Sequence, residues 1–292
     1  MSGLPILVTG ATGRLGRLIV ERLTATGQPV RVFTRRPDAA RKLFGSAVEI
    51  AAGDYADGAS LAAACGGIGH LLLLSPISAA LAVDQIAVAD AAVAAGIRRI
   101  VKISGSNWTI EPPGNSISGD AHAAVEHHLG TLSIEHVSLR PNAWMQVSLA
   151  NTIAQALAGH PVLEINPDAG IGYIDARDIA GVAVHQLLAG EVAGKTLNLT
   201  GPQVVTPRQV AALLSTALRR PVAIGERASA AAAPDADVEH RAVAQFATLI
   251  AAGRAATTTD AVAALLGRAP RGVEAFISEY LAAEAALAGQ DP

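Results

Sequence analysis

Short apolar, β-branched runs alternate with helix-like segments along the first two hundred residues. The runs show little polar alternation, which is typical of strands covered on both faces. The predicted strands are Pro5–Thr9, Val30–Thr34, Val48–Ala51, His70–Leu74, Ile100–Ser104, Glu135–Leu139 and Thr196–Leu199. The helix-like segments between them include Arg14–Thr26, Leu81–Ala95 and Asp120–Leu129. This order predicts an α/β fold with a doubly wound parallel sheet, a Rossmann fold.

The pattern changes after Gly201, where the strand signal almost disappears. Thr206, Pro207 and Gln209 predict a helix start, with a capping threonine, a proline in the first position and a glutamine that completes a capping box. Further helices are predicted; the helical segments lie near 206–218, 238–252, 258–266 and 273–288. We therefore expect a smaller, mostly helical C-terminal lobe.

The same pattern predicts two domains that interleave along the chain. A dinucleotide-binding Rossmann domain is expected over residues 1–141, completed by residues 172–200. Residues 142–171 and 201–292 are expected to form the substrate-binding lobe. The segment 105–119 is long and rich in Pro, Gly, Asn and Ser, so we expect a loop there that could act as a lid.

Composition narrows the class of protein further. The chain has 292 residues, a net charge of −3 and 16% charged residues, which gives no electrostatic case for binding nucleic acid or an anionic membrane. Its single cysteine, Cys65, excludes an internal disulfide and fits a reducing compartment. No signal-peptide pattern is visible, and no apolar run reaches the roughly 18 residues of a membrane helix. We expect a cytoplasmic protein.

A glycine-rich turn follows the first predicted strand. Gly10, Gly13 and Gly16 stand between that strand and an amphipathic helix, the context in which a pyrophosphate-binding turn occurs. Gly10 would allow the tight turn, Gly13 the approach of a phosphate, and Gly16 close packing of the helix against the sheet. The helix N-terminus would offer unpaired N–H groups to the anion. The turn therefore predicts a nucleotide site.

Arg35 and Arg36 follow the second strand, where an NAD site usually carries an acidic residue. Two guanidinium groups there, with Arg14 as a third cation, favour the 2′-phosphate of NADP(H), although exposed arginines can also simply solvate a loop. Asp38 is expected to cap the next helix. Asp54 could accept a hydrogen bond from adenine or cap the following turn, and both interpretations remain open.

Ser75, at the end of the fourth strand, is expected to contact the cofactor or to fix the chain against it. The full set of predicted cofactor-binding residues is Gly10, Thr12, Gly13, Arg14, Leu15, Gly16, Arg35, Arg36, Asp54 and Ser75. The cofactor implied by this set is NADP(H).

Several segments together resemble the NmrA-like branch of the atypical short-chain dehydrogenase/reductase superfamily. They are VTGATGRLG at 8–16, TRRP at 34–37, GDYAD at 53–57, LLLLSP at 71–76, VKISGSN at 101–107, LRPNAWMQ at 139–146, DARDIA at 175–180 and LTGPQVVTPRQVAALL at 199–214. The resemblance covers nearly the whole chain in the expected order. It implies a Rossmann domain, a small C-terminal substrate lobe and NADP(H) binding.

The Tyr-x3-Lys pair of typical short-chain reductases is absent. The segment that aligns with it carries His122 in place of the tyrosine and Glu126 in place of the lysine. Because the two residues share a helix face, Glu126 could hold a ring N–H of His122 and orient it or raise its pKa, which would make His122 a proton donor. A helix-surface ion pair is the open alternative. His127 and His128 lie nearby without a recognised ligand spacing, so no metal site is predicted.

Other candidates follow strand ends. Ser104 is a candidate catalytic hydroxyl, although it could merely shape the turn, and Lys102 is unusual in a strand that should be buried. Asp175 and Asp178 are expected to cap a helix. The predicted substrate-pocket residues, for which core packing is the alternative at the apolar positions, are Ser106, Asn142, Trp144, Met145 and Tyr173.

Two functions fit these features. The first is an NADPH-dependent reductase that transfers hydride to a planar apolar acceptor such as a quinone, enone, imine or dye, because such acceptors need no strong protein acid. The family resemblance implies similarity to quinone reductases and triphenylmethane reductase. The second is a non-catalytic NADP(H)-sensing regulator of the NmrA type, with a protein partner. The sequence is compatible with a homodimer, and a small-molecule substrate is the expected partner of the enzyme.

Overall fold

The computed structural model describes residues 3–229, 232–233 and 235–288. The chain divides into two compact units. The first comprises Met1–Arg140, Ile179–Asn198 and Asp237–Glu239, and the second comprises Pro141–Asp178, Leu199–Ala236 and His240–Pro292. Within the described residues, no helix is both long enough and apolar enough to cross a bilayer.

Strands and helices alternate through the first part of the chain. The strands are β1 (Ile6–Val8), β2 (Val30–Thr34), β3 (Glu49–Ala52), β4 (His70–Leu73), β5 (Arg99–Ile103), β6 (Glu135–Pro141), β7 (Val162–Glu164), β8 (Thr196–Leu199) and β9 (Ile224–Glu226). The helices are α1 (Arg14–Ala25), α2 (Pro37–Phe44), α3 (Gly58–Cys65), α4 (Leu81–Ala94), α5 (Asn107–Ile110), α6 (Ile117–Thr131), α7 (Met145–Ser148), α8 (Ala150–Leu157), α9 (Ala176–Leu188), α10 (Pro207–Leu218), α11 (Val238–Ala251), α12 (Ala261–Leu266) and α13 (Val273–Ala288).

Seven strands form one sheet in the order β3-β2-β1-β4-β5-β6-β8. The pairs from β3 through β6 are parallel. The order reverses between β1 and β4, so the carboxyl ends of these two strands flank the switch point at which doubly wound folds bind ligands. The predicted doubly wound parallel sheet is confirmed.

One face of the sheet is covered by α3, α4 and α6, whose apolar side chains form a single core with those of the strands. Ile100 of β5 belongs to this core, together with Val125 and Leu129 of α6. Side chains two positions apart along a strand point to the same face, so Lys102 must also point towards the layer that contains α6. The register pairs Lys102 with Ser138 of β6.

The second unit contains the short parallel pair β7–β9, the helices α10, α12 and α13, and α11 from His240 onwards. The capping box predicted at the start of α10 is present, with Thr206 and Gln209 each accepting from the other's backbone N–H. Asp175 accepts from the backbone N–H of Arg177 at 2.7 Å, as a helix cap does. Asp178 lies inside α9 and accepts instead from Arg268 and Arg271.

Four local expectations differ from the structure. The segment 105–119 is not one loop, because α5 forms inside it and α6 begins at Ile117. Asp38 is not a helix cap, since α2 begins at Pro37 with Arg36 as the preceding residue. Asp178 is the third residue of α9 rather than its cap. The strand β9, which lies after Gly201, was not predicted; it pairs with β7 over only three residues.

Candidate functional site

The glycine turn between β1 and α1 is built by close backbone contacts. Gly10 has a φ of +62°, and a Cβ there would lie 2.6 Å from the carbonyl oxygen of Leu74. A Cβ on Gly16 would lie 2.3 Å from the carbonyl oxygen of Gly10, so the first turn of α1 packs directly on the loop. Thr9 joins the end of β1 to β4 by accepting from the N–H of Leu74 and donating to its carbonyl, both at 2.9 Å. The turn is therefore fixed against the end of β4.

The N-terminus of α1 is open to an anion. Gly13 occupies the capping position, where it offers no side-chain hydrogen bond to the helix, and the first turn contains no acidic residue. The first N–H groups of a helix need an acceptor, and the helix dipole favours a negative one. Thr12, Arg14 and Leu15 belong to the same turn, with Leu15 buried and Arg14 exposed. This cradle fits a pyrophosphate group.

Arg35 and Arg36 are exposed directly after β2. Asp54 follows β3, and its Oδ2 lies 3.9 Å from the Nε of Arg35. The other carboxylate oxygen of Asp54 accepts from the N–H of Ala56 at 2.9 Å, so Asp54 does cap its own turn. At the end of β4, Ser75 accepts a hydrogen bond from the buried Gln85 amide at 2.8 Å. The predicted cofactor residues thus lie on the loops that follow β1, β2, β3 and β4 and in the first turn of α1.

A second group of polar residues lies at the ends of β5 and β6. Lys102 is fully buried, and its Nζ lies 2.8 Å from Nδ1 of His122 and 3.1 Å from Oγ of Ser104. Ser104 in turn donates to Oε1 of Glu126 at 2.5 Å. Arg140 binds Glu126 through Nε and Nη2, with a shortest contact of 2.5 Å. The five side chains form one continuous network within the first unit.

The sequence of α6 explains why His122 is inside. Ser116 caps the helix by accepting from the N–H of Gly119 at 2.9 Å. His122 then falls on the same stripe as Val125 and Leu129, and these are three and seven residues further along. His122 is 8% exposed, and its ring packs so closely on Gly105 that a Cβ there would lie 2.9 Å from Cδ2.

Burial governs the protonation of this network. Burial lowers the pKa of Lys102 to about 7, with Glu126 acting in the opposite direction and Arg140 lowering it further. Burial and the neighbouring Lys102 charge hold the pKa of His122 well below its usual range. His122 is therefore a neutral imidazole at pH 7, and Lys102 changes charge close to that pH.

The expected contact between Glu126 and His122 is wrong. Glu126 binds Ser104 and Arg140, while the hydrogen-bond partner of the His122 ring is Lys102. The pKa of His122 is lowered rather than raised, because its neighbour is a cation and not a carboxylate. The sequence marked Lys102 as an unusual buried lysine but gave no partner for it, and Arg140 was not recognised as part of the site.

The predicted substrate-pocket residues belong to different units. Ser106 is partly exposed in the first unit, where its carbonyl accepts from the hydroxyl of Thr109 at 2.8 Å. The others lie in the second unit, and they are Asn142, Trp144, Met145 and Tyr173. Asn142 donates to the carbonyl of Ala255 at 3.0 Å, and Met145 has no exposed surface. A role for these residues in a substrate pocket stays a prediction.

The sheet order and the glycine cradle define a Rossmann-type α/β protein. The chain belongs to the NmrA-like family, which it matches over residues 4–240. The expected family is confirmed.

The chain is also similar to individual reductases and oxidoreductases. The chain is 34% identical to the (4-alkanoyl-5-oxo-2,5-dihydrofuran-3-yl)methyl phosphate reductase of Streptomyces griseus, over 76% of each chain. It is 30% identical to the NAD(P)H azoreductase of Xenophilus azovorans, over 74% of this chain and 75% of that one. The structure of the NADPH-dependent quinone oxidoreductase from Escherichia coli complexed with NADPH is similar in fold, with a TM-score of 0.83, 24% identity and coverage of 94% of this chain and 99% of that one.

Proposed function

We propose that this protein is an NADP(H)-binding oxidoreductase that transfers hydride from NADPH to a planar apolar acceptor, such as a quinone, enone, imine or dye. One observation carries the proposal. An uncapped glycine cradle and two exposed arginines lie at adjacent strand ends of the switch-point fold, in a chain that is 34% identical to a reductase. The names of the other two relatives, an azoreductase and a quinone oxidoreductase, fit acceptors of this class.

The residues present fit the cofactor. The N–H groups at the start of α1 would bind the pyrophosphate, because Gly13 in the capping position has no side chain to bind them. Arg35 and Arg36 would bind a 2′-phosphate, since guanidinium groups bind phosphate through paired, charge-assisted hydrogen bonds. The Asp54 carboxylate lies 3.9 Å from the Arg35 guanidinium. It can therefore hold this arginine beside the site while the guanidinium binds the phosphate.

The protein itself must position the acceptor and supply it with one proton. The bound dinucleotide supplies the hydride. His122 would donate a hydrogen bond to the acceptor as a neutral imidazole, because its pKa lies well below the usual range. A neutral donor suits acceptors whose reduced form is a stabilised anion, such as a quinone, better than it suits simple ketones.

A non-catalytic NADP(H) sensor is the second candidate, favoured by His122 and Glu126 at the positions of the missing Tyr-x3-Lys pair. The buried Lys102–His122 contact favours the enzyme. Burying an ammonium group without a directly paired carboxylate is costly, and groups with strongly perturbed pKa values concentrate at functional sites.

The deciding experiment follows NADPH absorbance with purified protein and a panel of one quinone, one enone, one imine, one azo dye and one cationic dye. We expect turnover with at least one acceptor, and faster turnover with NADPH than with NADH. Tight NADPH binding without consumption by any acceptor would contradict the reductase and support the sensor.

A further inference from the structure

Lys102 is the buried polar group to which the proposed reaction has so far given no part. We propose that Lys102 is the positioning residue of this site: its ammonium donates to Nδ1 of His122, holds the ring as the Nε2–H tautomer, and replaces the proton that Nε2 gives to the acceptor. The last step rests on the proposed reductase function. The tautomer and the hydrogen bond do not.

The contact is imposed by the fold. Lys102 shares the face of β5 that carries Ile100 into the core beneath α6, so its side chain is directed at that helix. His122 lies on the buried stripe of α6, and the 2.8 Å contact joins Nζ to Nδ1. With Nδ1 taken by the lysine, Nε2 is the ring nitrogen that is left for a ligand.

The charge of Lys102 is stabilised indirectly. Its nearest hydrogen-bond acceptors are Nδ1 of His122 and Oγ of Ser104, with the carbonyl of Ile103 at 3.4 Å. Glu126 is one hydroxyl away, through the 2.5 Å hydrogen bond from Ser104. A lysine held at this distance from its carboxylate can lose its proton near neutral pH, whereas a directly paired one would keep it.

The charged and titratable groups that face Lys102 come from two elements. His122 and Glu126 face it from α6, and Arg140 faces it from β6. Arg140 is itself held by Glu126 and by Glu111, whose Oε1 lies 2.6 Å from Nη1. Arg140 therefore fixes the position of Glu126 and, through Ser104, that of the lysine.

The proton balance of the step is closed. The acceptor gains a hydride from the dinucleotide, which is oxidised, and a proton from Nε2 of His122. As that N–H bond breaks, Nδ1 takes a proton from the Lys102 ammonium, so the ring changes tautomer and never becomes a cation. Lys102 is left as a neutral amine. Between turnovers water returns a proton to Nε2 of His122, and Nδ1 gives its proton back to the Lys102 amine, so both groups regain their starting state.

The first test needs neither cofactor nor substrate. The chain has three lysines, Lys42, Lys102 and Lys195, so protein labelled with ¹³C at the lysine ε-carbon gives three signals that single Lys→Met variants assign. ¹⁵N-labelled histidine reports the ring tautomers. We expect Lys102 to titrate near pH 7, and His122 to be neutral and Nε2–H at pH 6. We expect Lys102→Met to change the tautomer balance of His122.

Two results would overturn the positioning role. One is a His122 ring that carries its proton on Nδ1 at pH 6 in the unaltered protein. The other is a tautomer balance that Lys102→Met leaves unchanged. Lys102→Met should fold, since it replaces a buried ammonium with an apolar chain of similar length, and Lys195→Met at an exposed site is its control.

The second test measures kcat against pH with an acceptor that turns over. Since the lysine must be protonated to donate, kcat should fall as pH rises through about 7 in the unaltered protein. Lys102→Met should lower kcat by about 10²–10⁴-fold and remove the fall of kcat near pH 7. Adding His122→Ala to this variant should lower kcat little further. An unchanged pH profile in Lys102→Met would overturn the proton transfer. If no acceptor turns over, the reductase and the proton transfer both fail, and the tautomer experiment alone decides the positioning role.

Discussion

Lys102 and His122 are in contact, Nζ to Nδ1 at 2.8 Å, although one residue lies on a strand and the other lies 20 positions later on a helix. Short-chain reductases, which this chain resembles, carry a tyrosine and a lysine on one helix, four residues apart. Here α6 carries His122 and Glu126 at those positions, and the lysine comes from β5. The lysine beside His122 thus comes from a strand and not from the helix that carries the histidine.

The same burial predicts how stability depends on pH. The pKa of Lys102 falls from its ordinary value of 10.5 to about 7 in the folded protein. Between these values the unfolded chain binds one more proton than the folded one, so the free energy of unfolding should rise with pH. The slope contributed by Lys102 is about 1.4 kcal/mol per pH unit. The free-energy cost of burying the charged lysine is fully present below pH 7 and is removed as pH approaches 10.5.

Urea unfolding from pH 6 to pH 10 measures this slope. The difference in free energy of unfolding between the unaltered protein and Lys102→Met isolates the lysine, since other groups titrate in both. Lys195→Met, at an exposed position, should leave the slope as it is. A Lys102→Met variant with the same slope as the unaltered protein would show that the lysine keeps its charge when buried.

Cofactor selectivity is predicted to depend on Arg35 and Arg36. Both are exposed after β2, and a 2′-phosphate bound there would be neutralised by them. The double change Arg35→Ala, Arg36→Ala should weaken NADPH binding by about 10–100-fold and NADH binding by much less, as expected for the loss of about 1.5–3 kcal/mol of charge-assisted hydrogen bonding in total.

Fluorescence titration with each dinucleotide measures this difference. Arg41→Ala is the matched control, because Arg41 is exposed on the neighbouring helix α2, where it pairs with Asp38. Its affinity for both dinucleotides should equal that of the unaltered protein. An equal loss for NADPH and NADH in the double variant would rule out the phosphate assignment.

The sequence predicted the elements better than the contacts between them. Apolar runs and glycines located the seven strands of the main sheet to within about two residues, and the capping box of α10 was recognised from Thr206 and Gln209. These features are local, and one stretch of chain encodes each of them. β9 was missed because a three-residue strand has too few positions to show a period.

The site was predictable only in part, because only some of its features are encoded by one stretch of chain. The glycine cradle is one segment of the chain, and the spacing of its glycines is enough to predict phosphate binding. The partner of His122 depends on how β5 packs beneath α6, and spacing along α6 favoured Glu126 instead. The signal that pointed correctly was Lys102 itself, a lysine in an otherwise apolar strand, since such a residue needs a polar partner inside the fold.

Arg99 is predicted to be a main support of the first unit. Its side chain is 3% exposed and donates to the carbonyls of Gln186, Ala189 and Gly190, where α9 ends. It also binds Glu135 at 2.7 Å. Removing one partner of a buried charged network leaves the others unsatisfied, so Arg99→Met should lower the free energy of unfolding by about 3–5 kcal/mol.

Chemical denaturation of Arg99→Met and Arg98→Met separates this role from a general loss of charge. Arg98 is the exposed neighbour on the chain, and its replacement should change stability by less than about 0.5 kcal/mol. Similar losses in both variants would mean that the bonds at the end of α9 contribute little.

Gly119 is predicted to set the position of His122. A Cβ at Gly119 would lie 1.8 Å from the carbonyl oxygen of Thr109, a backbone atom of α5, so α6 must move if this residue gains a side chain. Gly119→Ala should lower the free energy of unfolding by about 1–3 kcal/mol. It should also reduce turnover, because His122 lies on the next turn of the same helix.

Gly130→Ala is its matched control on α6, because an added Cβ there meets nothing within 4 Å. Alanine is the better helix former, so this variant should gain up to about 1 kcal/mol and keep its activity. The two Gly→Ala changes on one helix should therefore shift the denaturation midpoint in opposite directions. A Gly119→Ala protein that is as stable and as active as the unaltered one would show that α6 can move away from α5 without disturbing the Lys102–His122 contact.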